Sequence, residues 1–371
     1  MQNKLISILI TIINISAYAL CGAIIGLYSY FFDIEPSMKP LFFIFLFLMF
    51  YVVRFLNVII HEAGHLVFGL LTGYKFSMFR ILNYTFVKTK GKIKLKKYNI
   101  PGSMGQCLMA PPELKCGKMP VVLFNYGGVI FNVLSAIVSC TVFYMIGYIS
   151  CFAPFLLMMA LVGLNIALTN GIPMKNKMLS NDGCNTFEML RNEKAVLSLW
   201  AQLKISACLT EGVRLKDMPF EWFYLPGDDE MENGAEAVMG PMYCSRLMDE
   251  GKFHEVTKLI EHFLKIKSGI IGLHRIQLTL DLMFCEMMTE NRKEVIDKLY
   301  TKQIKRAMKP MSCFLSTIRT EYAYALLYEK DKEKAEGIFA RFEKAAKNYP
   351  YPAEIEAEYE FIKLVKEKAN A

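Results

Sequence analysis

The sequence predicts a mainly α-helical protein: a polytopic membrane helix bundle of about four spans, a small β-hairpin in one of its loops, and a soluble α-helical C-terminal domain. Three observations carry this prediction. Apolar runs long enough to cross a bilayer crowd the first half. A basic stretch of alternating polar and apolar residues interrupts them. The second half is mostly helical in pattern, with balanced charge. Of the 371 residues, 54% are hydrophobic, and the mean hydropathy of +0.28 exceeds that of an ordinary soluble domain. Charge divides the chain the same way. Residues 1–182 hold 15 Lys and Arg against 5 Asp and Glu, a net of +10, while residues 183–371 hold 28 against 30, a net of −2. We therefore expect a membrane domain over residues 1–189 and a cytoplasmic helical domain over 190–371, large enough for its own core.

The expected spans cover residues 5–32, 41–71, 121–150 and 151–169. The first reads as a span because it is too long for a signal peptide and lacks a convincing cleavage site. The loop 73–120 carries ten Lys and Arg against one acid, Glu113. The positive-inside rule puts this loop in the cytoplasm, so the expectation is a multi-pass cell-membrane protein with both termini cytoplasmic. A basic membrane loop accounts for the positive charge, which removes the main argument for nucleic acid as a partner. The ten cysteines are scattered without a CxxC pair, which fits a reducing cytosol. Within the loop, alternation around Lys90-Gly91 from Tyr84 to Lys96 predicts a β-hairpin. Its edge either pairs with a substrate strand or anchors to anionic lipid head groups. Pro101-Gly102-Ser103-Met104-Gly105-Gln106, followed by Pro111-Pro112, suggests an ordered or re-entrant loop near the site entrance.

The chemistry is concentrated in His61-Glu62-Ala63-Gly64-His65, near the end of the second span. Two histidines at i and i+4 share one helix face, so His61 and His65 can bind a single Zn²⁺ with Glu62 beside them as general base. The chain has only five histidines, and ionisable groups in membrane helices are costly and usually functional. Zinc sites of this kind need a third protein ligand and an open position. Between Glu113 and Glu188 the one acid is Asp182, directly after the fourth span, where the chain has returned to the cytosolic side. Elimination and position both point to it. Asn181-Asp182-Gly183 is equally good turn chemistry, and a solvated turn is the other reading.

Over roughly residues 41–190 the chain resembles the site-2 protease family of intramembrane zinc metallopeptidases. His61-Glu62-Ala63-Gly64-His65 in a membrane helix is the first likeness. Gly127-Gly128-Val129-Ile130-Phe131-Asn132 is similar to the family's Gly-x-x-x-Asn pattern. Asn170-Gly171-Ile172-Pro173 with Asn181-Asp182-Gly183 is similar to its Asn-x-x-Pro and Leu-Asp-Gly pair. The chain departs in having Asn181 where the family has leucine, and a longer gap from Pro173 to Asp182. The resemblance implies His61, His65 and Asp182 as zinc ligands, Glu62 as base and proton shuttle, and a substrate helix that unwinds before cleavage. Asn132 and Asn170 then either hold the substrate backbone or oxyanion, or hydrogen-bond helix to helix. Gly127 and Gly128 are expected to let helices approach closely. Arg54 and Asn57 lie on the His61 face. They line a hydrated cavity there, or Arg54 reaches a lipid head group.

Residues 190–371 show a faint repeat of about 40 residues, with Gly251, Asn291 and Asp331 suited to turns between paired helices. This looks like a tetratricopeptide-type array, which would bind a protein partner, or else a plain helical bundle. His254, His262 and His274 read as surface histidines. The expected function is an intramembrane zinc endopeptidase acting on a membrane-embedded or membrane-adjacent protein or peptide. The alternative is a non-catalytic membrane scaffold that binds partners through its helical C-terminal domain, against which the intact Glu62 argues. A transporter is a third reading, opposed by four spans with no repeat among them.

Overall fold

The computed structural model describes residues 2–100, 103–174 and 181–371, with side-chain surroundings from residue 8 onward. The chain divides into two compact units, Met1–Tyr74 with Pro120–Arg191, and Lys75–Met119 with Asn192–Ala371. The basic segment, read from the sequence as a loop of the membrane domain, therefore groups with the C-terminal helices.

The first unit consists of α1 (Gln2–Phe31), α2 (Lys39–Leu71), α3 (Val121–Ile146), α4 (Ala153–Gly171) and the short α5 (Asp182–Arg191). Four of these helices are long and apolar enough to cross a membrane. At 1.5 Å per residue, the 19 residues of α4 span about 28 Å and match the hydrocarbon core. The 33 residues of α2 reach about 50 Å, well beyond it. The third helix stops at Ile146, earlier than its apolar run, because Gly147 takes a left-handed φ of 78°. Pro154 in the first turn then starts α4.

Packing follows from which faces are free. α4 contacts α1, α2 and α3 and has half of its apolar window buried, against 11–17% for the others. It is the central helix. Ile12, Ile15, Phe45, Phe47, Leu48, Ile137 and Val138 stay exposed, an apolar surface far larger than water tolerates. The buried face holds amides and small residues. Asn165 Nδ2 donates to Asn14 Oδ1 at 3.1 Å, tying α4 to α1. Arg54 donates to the Tyr18 hydroxyl at 2.7 Å, so it is engaged on α1. Where α2 crosses α3, a methyl group on Gly64 would overlap the Gly127 carbonyl, and one on Gly127 would overlap that of Gly64. Backbone-to-backbone contact of this kind is what glycine pairs allow in membrane helices.

The second unit begins with an antiparallel sheet of β1 (Lys75–Ile81), β2 (Tyr84–Thr89), β3 (Lys92–Lys97) and β4 (Gly105–Ala110), in the order β3-β2-β1-β4. The expected hairpin is β2–β3. Lys90 and Gly91 both have positive φ, 50° and 74°, in register with Thr89↔Lys92, the geometry that a two-residue hairpin turn requires. The sheet exceeds the expectation by two strands. Of residues 101–106, expected to form an ordered or re-entrant loop, Gly105 and Gln106 begin the strand β4 paired to β1, while Pro101 and Gly102 lie outside the described residues.

Behind the sheet lie α6 (Glu193–Glu211), α7 (Gly234–Ala237), α8 (Met239–Asp249), α9 (Phe253–Lys265), α10 (Gly272–Met288), α11 (Lys293–Leu299), α12 (Lys302–Met308), α13 (Leu315–Ala323), α14 (Lys332–Asn348) and α15 (Pro352–Asn370). Leu247, Ile260, Phe263, Phe284, Ile318, Phe342 and Val365 share one core, and Tyr98, just after β3, packs into it against Tyr349 at 5.1 Å between ring centroids. The sheet docks on α6 through Ser77 and Thr210, 3.1 Å apart, and the Trp200 indole donates to the Pro112 carbonyl. His254 and His262 are exposed as expected, but His274 is half-buried. It lies in the first turn of α10 and lines a cavity of the helical unit.

Candidate metal centre

Two helices and one helix start build the site. His61 and His65 project from α2 one turn apart, with their rings at 4.9 Å between centroids. Asp182 is the first residue of α5. His61 Nε2 lies 3.0 Å and His65 Nε2 3.4 Å from the same carboxylate oxygen, Asp182 Oδ2, and the two Nε2 atoms are 3.2 Å apart. All three donor atoms fall within 4.8 Å of one another, the one such cluster among the described residues.

The outer face of each imidazole decides what the inner face can do. His61 Nδ1 is 2.8 Å from Asn132 Oδ1, and His65 Nδ1 is 2.8 Å from the Phe124 carbonyl. Both partners are acceptors, so both Nδ1 atoms carry the proton and both Nε2 lone pairs face Asp182. This is the tautomer and orientation that metal-ligating histidines adopt. Two imidazoles and a carboxylate also form a donor set suited to Zn²⁺, with room for a fourth ligand. The residues present fit the metal.

Asn132 is fully buried and has no amide atom left for a substrate. Its Nδ2 donates to the Asn57 carbonyl at 3.0 Å and to Asn57 Oδ1 at 3.3 Å, which points its oxygen at His61. Asn57 in turn donates to the Val53 and Met159 carbonyls. Of the two readings the sequence left open for Asn132, substrate contact or helix-to-helix hydrogen bonding, these contacts are of the second kind. Asn57, expected beside a hydrated cavity, is the inner layer of the same chain. Gly128, expected only to pack helices, faces the His61 ring. A methyl group there would come within 2.6 Å of Cε1 and Nδ1, so glycine is what lets the imidazole lie flat against α3.

Asp182 depends on Asn181. The Asn181 Nδ2 donates to the Thr169 carbonyl at 2.8 Å and the Ile172 carbonyl at 2.6 Å, while its Oδ1 accepts from the backbone N–H of Met174 and Cys184. One side chain thus closes the carbonyl end of α4 and caps the start of α5. A methyl on Gly183 would overlap the Gly171 carbonyl, so the two helix ends touch. Asn170, expected at the substrate, turns its side-chain amide back to the Ile166 carbonyl, and its backbone carbonyl lies against Gly183. Glu62 is 8% exposed and follows His61 directly on α2.

Sequence reasoning missed the roles of Asn57 and Asn181. The first carried a signal, being four residues before His61 on the same face. The second occupies the place where the resemblance expects leucine, and its turn chemistry alone does not say which helix ends it joins. No family model, no curated protein and no solved structure matches the chain, so the functional reading rests on this geometry and on the sequence motifs.

Proposed function

We propose that this chain is an intramembrane zinc endopeptidase of site-2 protease type, cutting a protein or peptide embedded in, or next to, the bilayer. The observation that carries the proposal is the convergence of the His61 and His65 Nε2 atoms and the Asp182 carboxylate, with both Nδ1 atoms already donating to the bundle. His61, His65 and Asp182 would hold the metal. Bound Zn²⁺ would supply Lewis acidity at the scissile carbonyl and at water. Glu62 takes the proton from the attacking water and returns it to the leaving amine. Asn132 and Asn181 hold the His61 ring and the Asp182 carboxylate in place, so no group needs to reorganise during the reaction. A substrate helix hides its peptide bonds in its own hydrogen bonds, and must open locally to present one.

Topology fits this chemistry. Lys75–Met119 and Asn192–Ala371 belong to one compact unit, which requires both to lie on one side of the membrane. Four spans give that result. The positive-inside rule favours the cytoplasm for the lysine-rich segment, and for both termini with it. His65 is six residues, about 9 Å, from the end of α2 at Leu71, so water reaches it from that side. The helical pairs α8–α9, α10–α11 and α13–α14 turn at Gly251, Asn291 and Lys330, all with positive φ, the last being one residue before the expected Asp331, which instead caps α14. These turns support reading the region as a tetratricopeptide-like array for a protein partner.

The test compares membranes of cells expressing wild type and Glu62→Gln. Equal zinc in the two proteins, with membrane-protein fragments cut in or beside a span only in the wild type, is the expected result. Identical fragment patterns would overturn the assignment of Glu62, and zinc lost from Glu62→Gln would make it a ligand rather than a base.

A further inference from the structure

The helical unit contains a second cluster of buried charge. Arg319 on α13 is 2% exposed, with its guanidinium over the Phe284 ring at 4.2 Å. Its Nη2 donates to Asp281 of α10 at 2.6 Å, and its Nη1 to Glu358 of α15 at 3.1 Å. Beside it lies a cavity of about 340 Å³, whose wall includes these three residues, Glu354, Asp249 and His274. This is a volume that accepts a small organic molecule or a large side chain.

The charges in this wall do not balance. Asp249 is taken by Arg214, whose Nε donates to it at 3.1 Å. Asp281, Glu354 and Glu358 are left with one guanidinium among them. Glu354 has only the neutral Tyr349 hydroxyl, which donates to its Oε2 at 2.8 Å. Glu358 is 7% exposed, and its Oε2 has no hydrogen-bond partner among the described residues. A buried carboxylate oxygen without a donor is costly, and native structures rarely keep one. Burial pushes Glu354 and Glu358 up to about 7 and holds His274 below the ordinary imidazole range, so the histidine adds no compensating charge.

We propose that this cavity binds an organic cation, an ammonium or guanidinium group carried on an apolar body. The cationic head would donate to Glu354, with the buried Glu358 carboxylate adding its charge from the same wall. The body would lie along Leu215, Met242, Met311 and Phe314, which also line the cavity. A metal ion is the wrong occupant, since Arg319 stands among the acids and these oxygens do not form a converging ligand group. An anion is excluded by the surplus of carboxylates. The head group has two sources, a free amphipathic amine and a basic side chain of a peptide.

Isothermal titration of the detergent-purified full chain separates them. The probes are phenethylamine beside phenethyl alcohol, and a capped pentapeptide with one central arginine beside its citrulline counterpart. At least one cationic probe should bind at least tenfold more tightly than its neutral twin, and the winning pair names the source. Glu354→Gln and Glu358→Gln should each weaken that probe about tenfold while leaving the helical circular dichroism unchanged. Met242→Trp, which fills the cavity from its apolar wall, should abolish binding with every acid in place. Equal binding of charged and neutral twins, no binding at millimolar concentration, or unaltered affinity in all three variants would overturn the proposal.

Discussion

Around His61 the membrane unit hands every buried amide a partner inside the bundle. Around Arg319 the helical unit leaves carboxylates in excess of cations. The first arrangement runs from the Met159 carbonyl through Asn57 and Asn132 to His61, and its free valences all point to one spot beside Asp182. The second leaves the Glu358 Oε2 without a hydrogen-bond donor among the described residues, in the wall of a cavity that holds more acids than cations. The difference teaches where specificity is stored. In lipid, an unsatisfied polar group is so costly that a preformed site must be complete except for its ligand. A soluble unit tolerates a frustrated wall, because water and protonation relieve it.

The comparison breaks most severely at the α2–α3 crossing. Gly127→Leu places a side chain where the Gly64 carbonyl sits, and overpacking against rigid backbone should cost about 3 kcal/mol. We expect the variant to aggregate on detergent extraction, seen by size-exclusion chromatography, and a monodisperse variant would show that the helices are not in backbone contact. Next in size is the layer behind the ligands. Asn132→Leu and Asn181→Ala should keep the fold but weaken zinc binding by about 10- to 100-fold, measured by competition with a chelating dye. Unchanged affinity would reduce both asparagines to packing.

The helical unit gives the opposite sign. The Glu354 carboxyl is raised in the folded protein from 4.5 to about 7. A raised acid stabilises the fold fully below its unfolded value, and that contribution is lost as pH rises through the folded one. Glu354→Gln should therefore be more stable than wild type by about 3 kcal/mol at pH 8, shrinking to under about 1 kcal/mol at pH 5. Thermal unfolding at the two pH values checks this. A variant less stable at pH 8 would mean that Glu354 is paired. The smallest effect is expected at the hairpin tip, where Gly91→Ala at a φ of 74° should cost about 1 kcal/mol. Hydrogen exchange of β2 and β3 amides reads it.

The parts of this molecule legible in the sequence are those that one short segment determines. Apolar runs disclose the four long helices, the i, i+4 spacing places His61 and His65 on one face, and Lys90-Gly91 marks its hairpin. Asp182 was reachable because it is the lone acid in a long interval. The remainder depends on pairs far apart in the chain. Strands β1 and β4 pair Lys75 with Ala110, and neither has a strong alternation of its own. Asn57 meets Met159 across 102 positions, and its partner is a backbone carbonyl that every residue possesses. Asn181 carries turn chemistry in isolation, and only the end of α4 turns it into a clamp. The grouping of Lys75–Met119 with the C-terminal helices is equally silent, since Tyr98 looks like any tyrosine after a strand until its aromatic partners are in place.

The measurement that tests the central claim most directly is the zinc content of the detergent-purified protein, with wild type beside His65→Ala and Asp182→Ala. The account predicts about one zinc per chain in the wild type and its loss in both variants. Zinc retained without Asp182, or no zinc in the wild type under metal-replete conditions, would contradict it.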